Sequence, residues 1–461
     1  MTDKATNIAS EINGGAELSR SLKSRHVSMI AIGGIIGAGL FVGSSTTINT
    51  AGPAAVVSYA LAGFIILLVM RMLSEMAMAV GGAQTFAEFA RIGLGPLPGF
   101  LSGWLYWYFW VVVVAIEAIA GAQIIHNWFS ALPEFAIGVG LMAILTAVNL
   151  LSARAFGEFE FWFSGIKVAA IIVFILLCVA WATGITSPTG PTFGNLTAHQ
   201  GFAPMGWGVV FAATTSTIFA MCGAEIATIA AAESEEPAKV ISKMTVSVTM
   251  RILTFYVLSI LLIVAVMPWT QIVPKQSPFA ATLAYMGVPG GKMIMEAVVL
   301  VAVLSCLNSG LYVTSRALFG LAKHGDAPQW LVQVNARKVP ARAILIASLF
   351  SYGTLVADAF SRDVVFSFLI NSCGVTMILL YLMTAAAQLK LRNHYERTAP
   401  ERLQIRMWFH PFGSYVAIAA MAAILVFMGL DASLASQLWL SLLVAAAFAA
   451  GWLVFRRGKA H

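Results

Sequence analysis

The stretch that decides the fold runs from Ile32 to Gly43 and reads IGGIIGAGLFVG. It lies inside an apolar run of membrane-spanning length, where a helix is expected to continue without interruption. Glycine costs about 1 kcal/mol in a helix interior, and this stretch places glycine after glycine on one short segment. We therefore predict an unwound segment here. Because unpaired backbone groups cannot face lipid, that segment must line a cavity enclosed by protein.

A second interruption occupies the matching place in the other half of the chain. Residues 219–225 read FAMCGAE, which puts a glycine and a carboxylate in the middle of an apolar run. A pair of broken helices near the bilayer midplane is typical of the binding site of a secondary transporter. The two interruptions together predict this class of protein.

The composition agrees with a polytopic membrane protein. Of 461 residues, 59% are hydrophobic and only 10% are charged, whereas a soluble domain carries about 25% charged residues. The first apolar run follows a polar N-terminal segment without a cleavage site, so we predict that it is a membrane span and not a signal peptide. Twelve apolar runs have the length of a span, at about 27–49, 54–79, 97–126, 134–153, 159–183, 207–232, 244–268, 293–322, 341–358, 363–389, 411–430 and 434–455.

The basic residues indicate the orientation of these spans. With a cytoplasmic N-terminus, the 27 Lys and Arg residues divide into 23 cytoplasmic residues, three external ones (Lys275, Lys292 and Arg362) and one inside a span, Lys167. This excess of positive charge in the cytoplasmic loops predicts that both termini are cytoplasmic. Because the basic residues are spread among loops, the net charge of +7 does not indicate nucleic-acid binding.

The spans fall into two units of five, each beginning with a broken helix, and an odd number of spans makes the second unit inverted relative to the first. The last two spans form a peripheral pair. We predict an all-α integral membrane protein with a 5+5 inverted repeat. Its segments are a disordered cytoplasmic N-terminus (1–22), the first repeat (23–183), an external loop (184–206), the second repeat (207–389), a cytoplasmic loop (390–410), and helices 11 and 12 with a cytoplasmic C-terminus (411–461).

Three ionisable residues lie deep within spans: Glu117, Lys167 and Glu225. A charge at the bilayer centre costs at least about 2.5–3.5 kcal/mol, so each side chain is expected to face the bundle interior. They could bind a substrate amine or hold a proton. Alternatively, Lys167 could pair with one of the glutamates and hold helices together. Arg71 and Glu75 lie one turn apart near a span end, where local pairing or snorkelling explains them.

The glycine-rich stretch suggests how an anion could bind. Unwinding exposes backbone N–H groups at the start of a half-helix, where the helix dipole also favours negative charge, so a substrate carboxylate could bind there without an arginine. The alternative is close helix packing, since Gly33 and Gly37, like Gly39 and Gly43, are four residues apart. Phe219, on the second broken helix, could close over a substrate or fill space.

The sequence shows no pattern for a metal or a disulfide. Four cysteines lie within spans without CxxC spacing, and the seven histidines form no HxxxH pair. We expect no cofactor. A channel would need a continuous polar pore, and an enzyme would need a catalytic constellation, and neither pattern is visible.

Four segments carry a family resemblance. They are 24–43, beginning SRHV, 156–162 (FGEFEFW), 223–234 (GAEIATIAAAES) and 305–328, which opens with SCLNS and ends with GDAP. From about residue 20 to 430 the chain resembles bacterial amino-acid permeases of the amino acid–polyamine–organocation superfamily. It is most similar to 4-aminobutyrate (GABA) permeases, notably through 105–107 (LYW) and 227–234.

The resemblance implies the 5+5 fold, alternating access and proton-coupled uptake. It places the substrate carboxylate on the backbone of Gly37, Ala38 and Gly39, makes Phe219 the gating aromatic and gives Glu225 a proton role. Lys167 matches a lysine that takes the place of a sodium ion in sodium-coupled relatives. Many members carry Ser or Thr where this chain has Ala38, which removes one possible hydroxyl contact.

We therefore predict a proton-coupled symporter in the bacterial inner membrane that imports a small zwitterionic amino acid, with GABA as first choice. The alternative is a permease for a standard α-amino acid. The expected partners are the substrate and the bilayer, without an obligate protein partner. Lys167 and Glu225 are assigned to proton coupling, and the candidate substrate-binding residues are Gly33, Gly34, Ile36, Gly37, Ala38, Gly39, Glu117, Phe219, Met221 and Gly223.

Overall fold

A computed structural model describes Met29 and residues 34–80, 85–151, 153–226, 237–335, 338–360, 362–432 and 434–458. Gly33, segment 1–22 and the quoted segments 24–27 and 227–234 lie outside the described residues. All regular secondary structure in the described residues is helical. The α-helices are α1 (Ala38–Phe41), α2 (Gly43–Ala51), α3 (Ala55–Val80), α4 (Phe86–Leu94), α5 (Pro96–Trp128), α6 (Glu134–Asn149), α7 (Ala153–Ala182), α8 (Asn195–Ala198), α9 (Trp207–Met221), α10 (Pro237–Val266), α11 (Pro278–Tyr285), α12 (Gly291–Lys323), α13 (Ala341–Phe360), α14 (Arg362–Thr398), α15 (Phe412–Leu430) and α16 (Ala435–Gly458).

Much of the described chain is long, apolar helix. Eight helical stretches in the described residues are long and apolar enough to cross a membrane, and three shorter apolar helices accompany them. All of these stretches overlap the apolar runs predicted from the sequence. The eight are Gly43–Val80, which joins α2 to α3, Pro96–Trp128, Phe156–Ala182, Gly291–Lys323, Ala341–Phe360, Leu369–Thr398, Phe412–Leu430 and Ala435–Leu453.

Local signals set the helix ends. Thr85 and Glu88 form a capping box at the start of α4, in which each side chain accepts a hydrogen bond from the other's backbone N–H. Gly95 then turns the chain with φ +114°, and Pro96 begins α5, where its missing N–H costs nothing. At the other end of the fold, α14 extends to Thr398, beyond residue 389 where the predicted span ends.

The central helices pack in pairs. α5 packs along α12, α3 packs along α10, and α6 packs against α13. α15 and α16 lie against α14 and keep much of their apolar surface exposed, as expected for helices that face lipid. The pairs α5–α12 and α3–α10 therefore form the centre of the fold, and α15 and α16 lie outside them.

A buried ionic cluster ties the end of α3 to α14. The Glu75 carboxylate accepts hydrogen bonds from Arg392 at 2.6 Å and from Gln388 at 2.8 Å. Arg71 donates to the carbonyl of Arg406 at 2.9 Å and lies over the ring of Trp408. The sequence suggested local pairing or snorkelling for Arg71 and Glu75, but Glu75 bonds to Arg392, 317 residues farther along the chain.

Both interruptions seen in the sequence are breaks in the structure. Ile36 and Gly37 lie outside any helix, and Gly37 is extended (φ −141°, ψ −151°) before α1 begins at Ala38. At the second interruption, α9 ends at Met221, and Gly223 takes φ +119°, which L-residues rarely adopt.

Candidate functional site

The two breaks touch each other. A Cβ atom added to Gly223 would lie 2.8 Å from the carbonyl oxygen of Gly34, and one added to Gly39 would lie 2.7 Å from the Cα of Ala220. Contacts this short leave no room for a side chain. The glycines are therefore required for the breaks to meet, which is more than the packing of two unbroken helices demands.

Tyr256 of α10 joins the two breaks chemically. Its buried hydroxyl lies 2.8 Å from the carbonyl oxygen of Ile35 and 2.9 Å from that of Ala220, one carbonyl from each break. Breaking a helix frees carbonyls that must find donors in an apolar interior. The single hydroxyl proton is shared between them, so Tyr256 stabilises both breaks and fixes their spacing. Sequence reasoning missed this residue, because one Tyr within a long apolar helix gives no signal.

The first break binds a carboxylate within the protein. The backbone N–H of Ala38, the first residue of α1, donates to both carboxylate oxygens of Glu117, each at 3.0 Å. Glu117 lies on α5 and is 1% exposed. A hydrogen bond to a charged acceptor is about twice as strong as a neutral one, and the location at a helix start adds to it. The backbone N–H that was predicted to bind a substrate carboxylate thus donates to the side-chain carboxylate of Glu117.

Lys167 of α7 binds the other side of the same break. Its Nζ donates to the carbonyl oxygen of Ile36 at 3.0 Å and to Ser305 Oγ of α12 at 2.9 Å. The lysine is fully buried. Cys306, next to Ser305, has its Sγ 3.3 Å from the carbonyl oxygen of Gly34. The break is therefore held on both its carbonyl and its N–H groups by buried side chains.

Glu160 is a buried carboxylate that sequence reasoning missed as an ionisable site residue. Its Oε2 accepts a hydrogen bond from Ser305 Oγ at 2.5 Å, and its Oε1 accepts one from Asn308 Nδ2 at 3.0 Å. Asn308 Oδ1 in turn accepts a bond from Asn149 at 2.7 Å. The signal was available in the sequence: Glu160 lies seven residues, or two turns, before Lys167 and so on the same face of one helix.

Glu225 belongs to the second break. The backbone N–H of Gly223 donates to its Oε2 at 3.0 Å, and the side chain is fully buried. It thus satisfies a backbone donor of the turn in which it lies. Glu117 and Lys167 therefore bind the first break, whereas Glu225 binds the second.

Phe219 packs where the breaks meet. It is 5% exposed, its ring centre lies 6.4 Å from that of Phe109 on α5, and its Cε1 lies 3.3 Å from the position of a Cβ on Gly39. Met221 is also buried. A bulky ring at this position closes the space beside α1.

The structure thus brings most of the predicted residues to one place. Gly34, Ile36, Gly37, Ala38, Gly39 and Gly223 form the contacting breaks, with Glu117, Lys167, Phe219, Met221 and Glu225 around them. Buried polar groups of this kind must be satisfied or paired, because the interior has a low dielectric constant. The arrangement offers backbone groups and ionisable side chains suited to a small charged molecule and to protons. Among the described residues, His, Cys, Asp and Glu form no group of three that could hold a metal ion.

Comparison with known proteins decides the family. The family profile described as "Amino acid permease" matches residues 26–461, nearly the whole chain. The chain belongs to the amino acid permease family. As a member of a transporter family, the permease is not an enzyme, and its apolar helices make it a multi-pass membrane protein.

Individual relatives are similar over almost their full length. The permease is 46% identical to the gamma-aminobutyric acid permease of Bacillus subtilis (strain 168) over 96% of its own length and 94% of the relative's. It is 41% identical to the gamma-aminobutyric acid permease of Escherichia coli (strain K12), with 89% of each chain covered. The aromatic amino acid transport protein AroP of Salmonella typhimurium (strain LT2) is 36% identical over 92% of this chain and 93% of its own.

Proposed function

We propose that the permease is a proton-coupled symporter that imports GABA or a related small zwitterionic amino acid by alternating access. The names of relatives at 46% and 41% identity support GABA as the substrate. The site supports a small charged molecule, since it combines exposed backbone groups with buried ionisable side chains.

The hydrogen bond between Ala38 and Glu117 is the observation that carries this proposal. It supports a carboxylate as the partner of the N–H at the first break, since both oxygens of Glu117 lie 3.0 Å from it. A substrate carboxylate can accept a hydrogen bond from this N–H only if Glu117 no longer accepts it. Protonation of Glu117 removes its charge and weakens its hold on the N–H. Uptake of a proton and binding of a carboxylate thereby favour each other.

Lys167 and Glu225 are the further groups that we assign to proton coupling. The amine of Lys167 donates to the carbonyl of Ile36, so its positive charge would repel a sodium ion bound at that carbonyl. Glu225 is buried in the second break, where a change in its charge alters the hydrogen bond from Gly223. Each side chain can therefore link a protonation change to the geometry of one break.

The proposed membrane architecture has twelve spans in a 5+5 inverted repeat, with both termini in the cytoplasm and residence in the bacterial inner membrane. The helix pairs support it. α3 packs on α10 and α5 packs on α12, and each pair joins helices at equivalent places in the two proposed repeats. Inverted repeats bring equivalent helices together around one central site.

A standard α-amino acid is the second candidate substrate. The similarity to AroP at 36% identity favours it, and the N–H of Ala38 would bind the carboxylate of either class of amino acid. An ω-amino acid such as GABA places its amine farther from its carboxylate. Recognition of the amine therefore decides between the two classes.

Uptake of labelled GABA into proteoliposomes under an inward proton gradient tests the proposal. A panel of unlabelled competitors should include β-alanine, 5-aminovalerate, glycine, alanine and phenylalanine. We expect unlabelled GABA and its ω-amino relatives to inhibit uptake, with standard amino acids weaker. Inhibition by phenylalanine alone, or GABA uptake no greater than in protein-free liposomes, would reject GABA as the substrate.

A further inference from the structure

The buried carboxylate of Glu160 takes no part in the proposed substrate site, yet it ends a continuous chain of hydrogen bonds. Lys167 Nζ donates to Ser305 Oγ at 2.9 Å, and Ser305 Oγ donates to Glu160 Oε2 at 2.5 Å. All three side chains are fully buried. The donors point in one direction, from the amine through the hydroxyl to the carboxylate.

This chain also has a direction in the membrane. Glu160 lies seven residues before Lys167 on α7, so its backbone is about 10 Å nearer to the helix end at Ala153. The two side chains meet at Ser305 Oγ, which lies 2.5 Å from Glu160 Oε2 and 2.9 Å from Lys167 Nζ. The proposed topology puts that end on the cytoplasmic side. The chain therefore leads from the break that binds the substrate toward the cytoplasm.

We propose that Lys167, Ser305 and Glu160 form the route by which the coupling proton leaves the site toward the cytoplasm, with Glu160 as the acceptor. This inference rests on the proposed proton coupling and adds to it a residue and a path. The other titratable side chains that act electrostatically on Lys167 are Glu117 of α5 and Cys306 of α12. Glu117 is bonded to the N–H of Ala38, whereas Glu160 is reached from Lys167 through a single hydroxyl.

The transfer balances without any further reactant. The ammonium of Lys167 gives a proton to Ser305 Oγ while the hydroxyl proton of Ser305 moves to Glu160 Oε2. The products are a neutral amine, an intact serine hydroxyl and a neutral carboxylic acid. Two charges in a low-dielectric interior become none, and Glu160 later releases the proton to water from the cytoplasm.

The residues around Glu160 suit an acceptor that must be shielded until release. Asn308 Nδ2 holds its second oxygen at 3.0 Å, which fixes the carboxyl group against Ser305. One turn nearer the helix end, the rings of Phe156 and Tyr312 are stacked at 4.3 Å, and Arg316 lies 3.9 Å over Tyr312. These rings lie between Glu160 and the helix end, so their separation would open a path for water and link proton release to opening of the inward side.

Variants of Ser305 test the route most sharply. Ser305→Ala removes the hydroxyl, whereas the matched variant Ser305→Thr keeps it. Each purified, monodisperse protein is measured in two assays with labelled GABA: net uptake driven by an inward proton gradient, and counterflow exchange at equal pH on both sides. Exchange returns the carrier with substrate and proton still bound, so it does not need proton release.

We expect Ser305→Ala to lose net uptake by about tenfold or more, because a positioned proton-transfer group contributes roughly 10²–10⁴-fold. Its exchange should stay within about twofold of wild type, the change expected from a modest loss of binding energy. Ser305→Thr should resemble wild type in both assays. Equal loss in both assays, or net uptake unchanged in Ser305→Ala, would overturn the route and leave the chain as a packing network between α7 and α12.

Glu160→Gln provides a second and independent variant if threonine does not fit at 305. The amide keeps the shape and still accepts a bond from Ser305, but it cannot hold the proton. We expect the same loss of net uptake with exchange retained, and retained net uptake would reject Glu160 as acceptor. Wild-type protein without any response to the proton gradient would instead reject the proposed coupling itself, so the two failures are distinguishable.

Discussion

The backbone N–H of Ala38 donates to both carboxylate oxygens of Glu117, each at 3.0 Å, and so joins the first helix break to the middle of α5. Removing one partner from a buried charged hydrogen bond leaves the other unsatisfied, at a cost of about 1–3 kcal/mol or more. A ligand that replaces Glu117 at this N–H must therefore bring a hydrogen-bond acceptor of its own. We propose that the substrate carboxylate is this acceptor and takes the place of Glu117.

Transport should depend on a pH gradient and not on sodium. The amine of Lys167 lies 3.0 Å from the carbonyl of Ile36, where a fixed cation repels Na⁺. Proteoliposome uptake with sodium replaced by choline, under an inward proton gradient, measures this directly. We expect unchanged uptake in choline and loss of accumulation when a protonophore collapses the gradient. A strict requirement for sodium would show that Lys167 has only a structural role.

Replacing a glycine of the first break by alanine should impair GABA binding most where the least space is available for a Cβ atom. A Cβ on Gly39 would lie 2.7 Å from the backbone of Ala220, and one on Gly37 would lie 2.5 Å from Glu117 Oε1. Gly43 is the matched control, because its Cβ would have only ordinary contacts, the nearest at 3.6 Å. We expect Gly37→Ala and Gly39→Ala to weaken GABA binding by about tenfold or more, since overpacking costs roughly 1–3 kcal/mol.

The binding assay uses purified protein that is monodisperse by size exclusion, so that misfolding is separated from loss of affinity. Gly43→Ala should bind GABA like wild type. Normal affinity in Gly39→Ala would mean that the glycines serve only close helix packing.

Glu225→Gln should reduce gradient-driven accumulation more than exchange. Glutamine keeps the shape of the side chain and its acceptor for the N–H of Gly223, but it cannot take up and release a proton. Counterflow and net uptake are compared in the same preparation. If Glu225 only binds the substrate amine, both activities will fall together, and that result would remove it from the coupling mechanism.

Tyr256→Phe should loosen the contact between the two breaks. The variant keeps the ring but leaves the carbonyls of Ile35 and Ala220 without the hydroxyl that both now approach within 3 Å. An unsatisfied buried group costs about 1–3 kcal/mol, so we expect lower thermal stability and slower exchange. Tyr285→Phe, at an exposed tyrosine, is the control and should leave both unchanged. Equal melting temperatures and exchange rates in wild type and Tyr256→Phe would show that the bridge contributes nothing.

Much of the fold and part of the site could be predicted from local sequence. Long apolar runs predict helices because backbone groups in lipid must be paired within one segment. The clustered glycines predicted the first break, and Gly223 with its positive φ marks the second. Burial of Glu117, Lys167 and Glu225 followed from the cost of placing charge against lipid.

The remaining features depend on contacts between distant segments. Tyr256 bonds to carbonyls that lie 221 and 36 residues earlier in the chain. Glu75 finds Arg392 across the fold, although Arg71 is nearer in sequence. The spacing of Glu160 from Lys167 places both on one face of α7, but the bond from Ser305 of α12, which pairs Glu160 in the interior, comes from a distant segment. No local pattern contains such pairings.

The pH dependence of GABA affinity, compared between wild type and Glu117→Gln, tests the central claim most directly. If protonation of Glu117 frees the N–H of Ala38 for the substrate carboxylate, GABA binding takes up a proton. Affinity of the wild type should then rise as pH falls, by up to about tenfold per pH unit for one linked proton. Glutamine carries no charge to remove, so the variant should bind GABA with an affinity that changes little with pH. Titration calorimetry at several pH values measures both slopes, and the same steep slope in the variant would contradict the account.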